Sequence, residues 1–126
     1  MIEKLVKKLS SLAPMSKELA DRIRSVAQIF TYRAGDFILK EGQVCDKACL
    51  VAKGLTRSYY INEGLDITSR FMEEGFIVTS WVSYYTRQPG NEFIEAVDDT
   101  VLVCISNTDI HKVYLDFPEA NIIGRR

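Results

Sequence analysis

Between about residue 30 and residue 105 the chain is cut into short pieces by turn signals, and this spacing constrains the fold more than any other feature. The signals are Ala34-Gly35-Asp36, Glu41-Gly42, Lys53-Gly54, Asn62-Glu63-Gly64, Glu74-Gly75, Gln88-Pro89-Gly90-Asn91 and Asp98-Asp99. The pieces between them run from Phe37 to Leu39, Cys49 to Val51, Thr56 to Ile61, Ile67 to Met72, Phe93 to Val97 and Thr100 to Ile105. They are rich in β-branched and aromatic residues, which suits strands. Gly35, Gly42 and Gly54 fall between apolar strands, where a positive φ or a close backbone approach is needed. Turns this frequent let a sheet wind back on itself as a sandwich or barrel. Helical crossovers between the strands are missing, which argues against a parallel α/β sheet.

Helices flank this region. Ile2, Leu5, Val6, Leu9 and Leu12 follow the 3.6-residue period, and Pro14 breaks it. Ser16 is placed to cap a second helix with the stripe Leu19, Ile23, Val26 and Phe30. Ser106-Asn107-Thr108-Asp109 forms a capping box. The stripe Ile110, Val113, Tyr114 and Phe117 follows, and Pro118 stops the helix. Residues 119–126 begin another helix-like run, expected to be the start of something longer. Gly75 and Pro89 bracket a stretch around Thr79 to Thr86 that is expected to form a short helix.

A chain of 126 residues buries roughly two-thirds of its unfolded surface, enough for a core without staples. Its formal net charge of −1 lacks the basic excess of a freestanding nucleic-acid binder. The longest apolar run, Val101 to Ile105, is far short of the roughly 18 residues of a membrane span. The amphipathic start with Glu3 is no signal peptide, so the expected location is the cytoplasm, with no membrane partner. The odd set Cys45, Cys49 and Cys104, without a CxxC pair, points to reduced thiols rather than a disulfide frame.

Enzyme chemistry fails on inventory. The single histidine, His111, falls on the C-terminal helix, so a multi-histidine metal site cannot be assembled. Cys104 is close to His111 in sequence but sits in an apolar strand, where a cysteine acts as a small hydrophobe. P-loop, GxGxxG and GxSxG motifs are absent. The chain is expected not to be an enzyme and to hold no metal or cofactor.

A family resemblance is carried by Gly35-Asp36, Leu39-Lys40-Glu41-Gly42-Gln43, Asp46, Ala48-Cys49-Leu50-Val51 and Lys53-Gly54. Leu55 to Tyr60, Gly75 to Ser80, Ile94 to Thr100 and Phe117-Pro118-Glu119 continue it in order. Together they resemble the cyclic-nucleotide-binding domain, in the version that serves as sensor domain of Crp/Fnr-type bacterial transcription regulators. The resemblance implies a mainly β fold, a double-stranded β-helix or jelly-roll barrel flanked by N- and C-terminal helices. Helices are then expected over about 1–29, the barrel over about 30–105, and helices over about 107–126, with 1–126 forming one sensor domain that stops where the family's dimer helix begins. It implies a homodimer and an effector pocket between barrel and long helix. DNA would be read only through a helix-turn-helix domain that this chain lacks. A stand-alone regulatory module acting on a partner protein is the alternative, and a cupin-type enzyme is a third reading opposed by the lone histidine. Haem and iron–sulfur sensing are set aside for want of ligands.

The resemblance also locates a pocket. Nucleotide-binding members hold the cyclic phosphate with a Gly-Glu pair and an Arg-Ser-Ala or Arg-Thr-Ala stretch. Thr79 and Ser80 stand in the Gly-Glu positions here. Counting back from Ala96, Gly90 stands at the Arg position, followed by Asn91 and Glu92. Both charged anchors are missing and a carboxylate is added, so cyclic AMP is expected to bind poorly. Arg70 and Arg87 are the available substitutes. The remaining pocket residues are Met72, Trp81, Ser83 and Tyr84, beside Tyr85. Hydroxyls interleaved with aromatics suit a largely apolar small molecule; they also suit a collapsed core without ligand. The expected partner is an unidentified small-molecule effector, cyclic nucleotides included.

Overall fold

The computed structural model describes residues 1–12, 15–78 and 90–118. Helices α1 (Ile2–Leu12) and α2 (Lys17–Val26) come first. Eight strands follow: β1 (Gln28–Tyr32), β2 (Phe37–Leu39), β3 (Lys47–Lys53), β4 (Leu55–Asn62), β5 (Leu65–Glu73), β6 (Ile77–Val78), β7 (Phe93–Ala96) and β8 (Thr100–Ser106). Helix α3 (Asn107–Asp116) comes last. The strands form two four-stranded sheets of order β1-β8-β3-β6 and β2-β7-β4-β5, and every pairing is antiparallel. The architecture is the expected jelly roll with flanking helices.

Burial on β3 and β8 explains the layers. Cys49, Val51, Leu102 and Cys104 face inward, where Leu39, Met72 and Ile94 of the opposite sheet meet them. The intervening Leu50, Ala52, Val103 and Ile105 face outward, where Leu5, Val6, Leu19, Ile23 and Val113 of the helices cover them. Residues 48–52 of β3 and 101–105 of β8 are apolar at every position because their sheet lies between a second sheet and a helical layer. The opposite sheet, whose outer face is open, buries alternate positions such as Thr56 and Ser58 of β4.

The capping signals fold as read. Ser16 Oγ accepts from Leu19 N–H at 3.1 Å. Ser106 Oγ accepts from Asp109 N–H at the same distance. Gly54 has φ +102°, and an added Cβ would lie 2.5 Å from the Asp99 carbonyl oxygen. This glycine answers both a left-handed backbone and a close approach.

Two expectations are corrected. The stripe of α2 does not reach Phe30: the helix stops at Val26, and Gln28 to Tyr32 pair with Thr100 to Cys104 as β1. Phe30 therefore packs toward the barrel interior, because its partner is an adjacent strand rather than the helical layer. The barrel accordingly begins at Gln28. Strand β6, placed against Cys49 and Leu50, lacks any signal of its own at two residues. The second correction concerns the thiols. Cys49 and Cys104 are joined by a disulfide, with Cα atoms 4.0 Å apart. Only Cys45 is free. The pair arises because Cys49 and Cys104 are opposite each other in the β3–β8 register, a relation invisible to CxxC spacing. The helix expected around Thr79 to Thr86 and the run over 119–126 lie outside the described residues.

Candidate functional site

A cavity of about 230 Å³ opens into the barrel interior. Ile38 and Leu39 of β2, Cys49 of β3, Val78 of β6 and Ile94 of β7 form its apolar wall. Gln43, Val44, Asp46 and Lys47, from the connection between β2 and β3 and the start of β3, form its polar rim with Cys45. The connection is held in place by its own chemistry. Gln43 Oε1 accepts from the Lys40 amide at 2.8 Å, and the Gly42 amide donates to the Gly90 carbonyl at 3.0 Å. The second bond ties the rim to the segment that enters β7. Lys47 Nζ lies over the Phe30 ring, 4.1 Å from its centroid, a cation–π contact.

The inner face of the opposite sheet carries the polar groups. Thr56 and Ser58 alternate along β4 and are both fully buried. Ser58 is opposite Ile94 on one side and Arg70 on the other, so its hydroxyl shares the face that Ile94 presents to the cavity. Ser58 donates to Oε2 of Glu92 in a short hydrogen bond. Ser69 is the extra residue of a bulge between Arg70 and Thr68. Its hydroxyl lies 3.1 Å from the Ser58 carbonyl and 3.2 Å from the Ser58 hydroxyl oxygen. Glu92 thus accepts from the buried Ser58, which the exposed Ser69 reaches from the bulge.

The outer face of the same sheet is an ion-pair and aromatic ladder. Arg57 bonds Glu95 at 2.5 Å and Asp66 at 2.7 Å, and lies 4.2 Å from the centroid of the Tyr59 ring. Tyr59 stacks on Phe93 at 5.1 Å. The Asp66 carboxylate, followed by Glu95, raises the Arg57 pKa above its ordinary value against the cost of burial. Burial, with Glu95 nearby, raises that of Tyr59. These groups brace the sheet from outside.

Of the residues expected in the pocket, five are described. Glu92 accepts from Ser58 and the Gly90 carbonyl accepts from the Gly42 amide, but neither residue lines the cavity. Asn91 is exposed. Arg70 is exposed at the register position beside Ser58. Met72 faces inward but is fully buried among Leu39, Val51 and Ile94, a core residue rather than a cavity wall. Thr79, Ser80, Trp81, Ser83, Tyr84 and Arg87 lie outside the described residues. Sequence reasoning missed Ser58, Ser69 and the rim. The available signal was Thr56 and Ser58, two small hydroxyls at alternate positions of a strand that goes on to Tyr59 and Tyr60. His111 is exposed on α3, as expected. Among the described residues no group of histidine, cysteine and carboxylate side chains could hold a metal ion. No described helix is long and apolar enough to cross a membrane.

Comparisons with known proteins agree with this geometry. The family model for the cyclic nucleotide-binding domain matches residues 29–116. A search of curated proteins finds no match. Among solved structures, a cyclic nucleotide-binding domain from Methylobacillus flagellatus KT superposes with TM-score 0.83 at 16% identity, covering 98% of this chain and 70% of that one. The sensor domain of the transcriptional regulator DNR from Pseudomonas aeruginosa gives 0.78 at 15% identity, covering 95% and 79%. Thermus thermophilus Catabolite Activator Protein gives 0.77 at 21% identity, covering 94% of this chain. The chain spans 53% of that protein's length. With the fold, the inward-facing cavity and a model match across most of its length, this chain belongs to the cyclic nucleotide-binding domain family.

Proposed function

We propose that this chain is the effector-sensing domain of a Crp/Fnr-type transcription regulator, a non-catalytic cytoplasmic module that works as a homodimer. In this reading a small molecule enters the barrel, and its presence is passed to a helix-turn-helix domain outside the sensor. The observation that carries it is the packing of α3. Ile110 of α3 touches both the barrel interior and the helical layer, and Ser106 caps that helix directly from the end of β8. A ligand that shifts the inner faces of β3 and β8 therefore shifts α3. Such coupling needs differential ligand affinity for two helix positions and nothing more. Resemblance to regulator sensor domains supports the role, and the cavity supports a small effector.

The test is a metabolite screen by thermal shift, followed by amide NMR mapping of every hit. Hits are expected to move the amides of Leu39 and Ile94 together with those of α3. Hits that move the barrel while leaving α3 still would overturn the proposed coupling.

A further inference from the structure

We infer that the cavity is a thiol–disulfide exchange site, where a low-molecular-weight thiol opens the Cys49–Cys104 bond and so reports thiol redox state to α3. The inference rests on the sensor reading and names the chemical class of its effector. Cys49 lines the cavity and Cys104 does not. Both cysteines are buried from the outer surface, so the cavity is the route by which a small molecule reaches their bond. Cys45 stands on the same wall. Its thiol donates to the Lys47 carbonyl at 3.4 Å, and it packs in one cluster with the bonded pair. The cavity thus presents a thiol and a disulfide sulfur together. A disulfide in a cytoplasmic protein is as a rule catalytic or redox-sensing, and one that thiols can reach is of the labile kind.

The exchange balances. The incoming thiolate attacks Sγ of Cys49, a bond forms between those two sulfurs, and the Cys49–Cys104 bond breaks. Cys104 leaves with the electron pair and takes up the proton that the incoming thiol lost. A second molecule of the thiol then attacks the sulfur of the first. Cys49 is released as a thiol together with a small disulfide, so two thiols are oxidised and the protein disulfide is reduced. The bond is placed to be felt at α3. Cys104 lies just ahead of Ser106, which caps that helix. Ser106 is opposite Lys47 in the β3–β8 register, and the Asn107 amide donates to the Asp46 carbonyl at 2.7 Å. Asp46 and Lys47 also line the cavity. Opening the bond removes the covalent tie between β3 and β8 and leaves hydrogen bonds to hold the start of α3.

The test incubates the oxidised chain with reduced glutathione, quenches by alkylation and maps the products by mass spectrometry. The bond is expected to open in the folded protein through an intermediate with glutathione on Cys49, and to re-form with oxidised glutathione. Its rate should not change when urea is added below the unfolding transition, since entry through a cavity exposes no further surface. Iodoacetamide should label Cys45 in the folded, oxidised protein. Val44→Trp, at the rim, should slow the opening severalfold in the folded protein and leave it unchanged in chain unfolded by urea. Amide NMR should show the reduced chain folded, with the signals of α3 moved. The inference is overturned by a bond that glutathione opens only as urea promotes unfolding, by an adduct on Cys104, or by unlabelled Cys45. Val44→Trp reacting at the original rate, a reduced chain that is unfolded, or α3 signals that stay still would also overturn it. The sensor reading would then still stand or fall on the α3 response to effectors of other classes.

Discussion

Cys49 of β3 and Cys104 of β8 stand directly opposite each other in the strand register, and their side chains are bonded across the barrel's inner face. The bond closes a loop with a sequence separation of 55, which includes β4 to β7. Every strand of the outer-facing sheet except β2 lies within that loop.

Reduction should therefore loosen the whole barrel rather than one corner. A loop of that length restricts the unfolded chain by about 4 kcal/mol in the chain-entropy model. Denaturant unfolding with and without a strong reductant should show a lower midpoint on reduction. Cys104→Ala should reproduce it, and Cys45→Ser should leave the reductant response intact. Equal midpoints in both conditions would show that the bond contributes nothing.

Gly54→Ala should be among the most damaging small substitutions. The added Cβ meets the Asp99 carbonyl oxygen at 2.5 Å and Thr100 Oγ1 at 2.6 Å, in a backbone with φ +102°. Left-handed strain alone costs about 1–2 kcal/mol for a non-glycine residue, and the clash with backbone adds to it. Gly35→Ala has the strain without the clash, since nothing lies within 4 Å of the position its added methyl would take. Thermal melts of the two variants should fall in that order.

Arg57→Ala should destabilise by about 1.5–3 kcal/mol, the range for hydrogen bonds to charged groups. It leaves Glu95 without its partner while the Glu95 side chain is only 19% exposed, and it uncovers the Tyr59 ring. Arg57→Lys should recover part of the loss, because a lysine cannot make the paired contact to Asp66 that Nη1 and Nη2 make now. Adding Glu95→Gln to Arg57→Ala should restore stability relative to Arg57→Ala alone. Urea unfolding of the three variants measures the coupling.

The chain as it stands should bind DNA weakly at physiological salt. Its net charge of −1 supplies little counterion release. A titration with mixed-sequence duplex by fluorescence anisotropy checks this, and sequence-specific binding at nanomolar protein would contradict it.

Much of the barrel was legible in the chain. The glycines at 35, 42 and 54 marked turns because only a residue without Cβ takes those backbone angles without strain. Ser16 and Ser106 marked helix starts because capping is a local hydrogen bond between near neighbours. The strands from Phe37 onward were marked by β-branched and aromatic runs. These are local properties, so a single sequence carries them. Of the side chains that meet on this sheet, the family pattern had marked Glu92, which accepts from Ser58.

Tertiary structure decided the rest. Phe30 belongs to β1 because β8 offers an unpaired edge to Gln28–Tyr32, and helical periodicity cannot report a strand partner some 70 residues away in the chain. The Cys49–Cys104 bond depends on the β3–β8 register, which is set by how two distant segments meet. The Ser58–Glu92 contact exists only because β4 pairs with β7, and Ser69 reaches Ser58 only because β5 bulges there. Local chemistry determined where the chain turns and which elements form; long-range pairing, whose energy appears only when distant strands come together, decided which side chains meet.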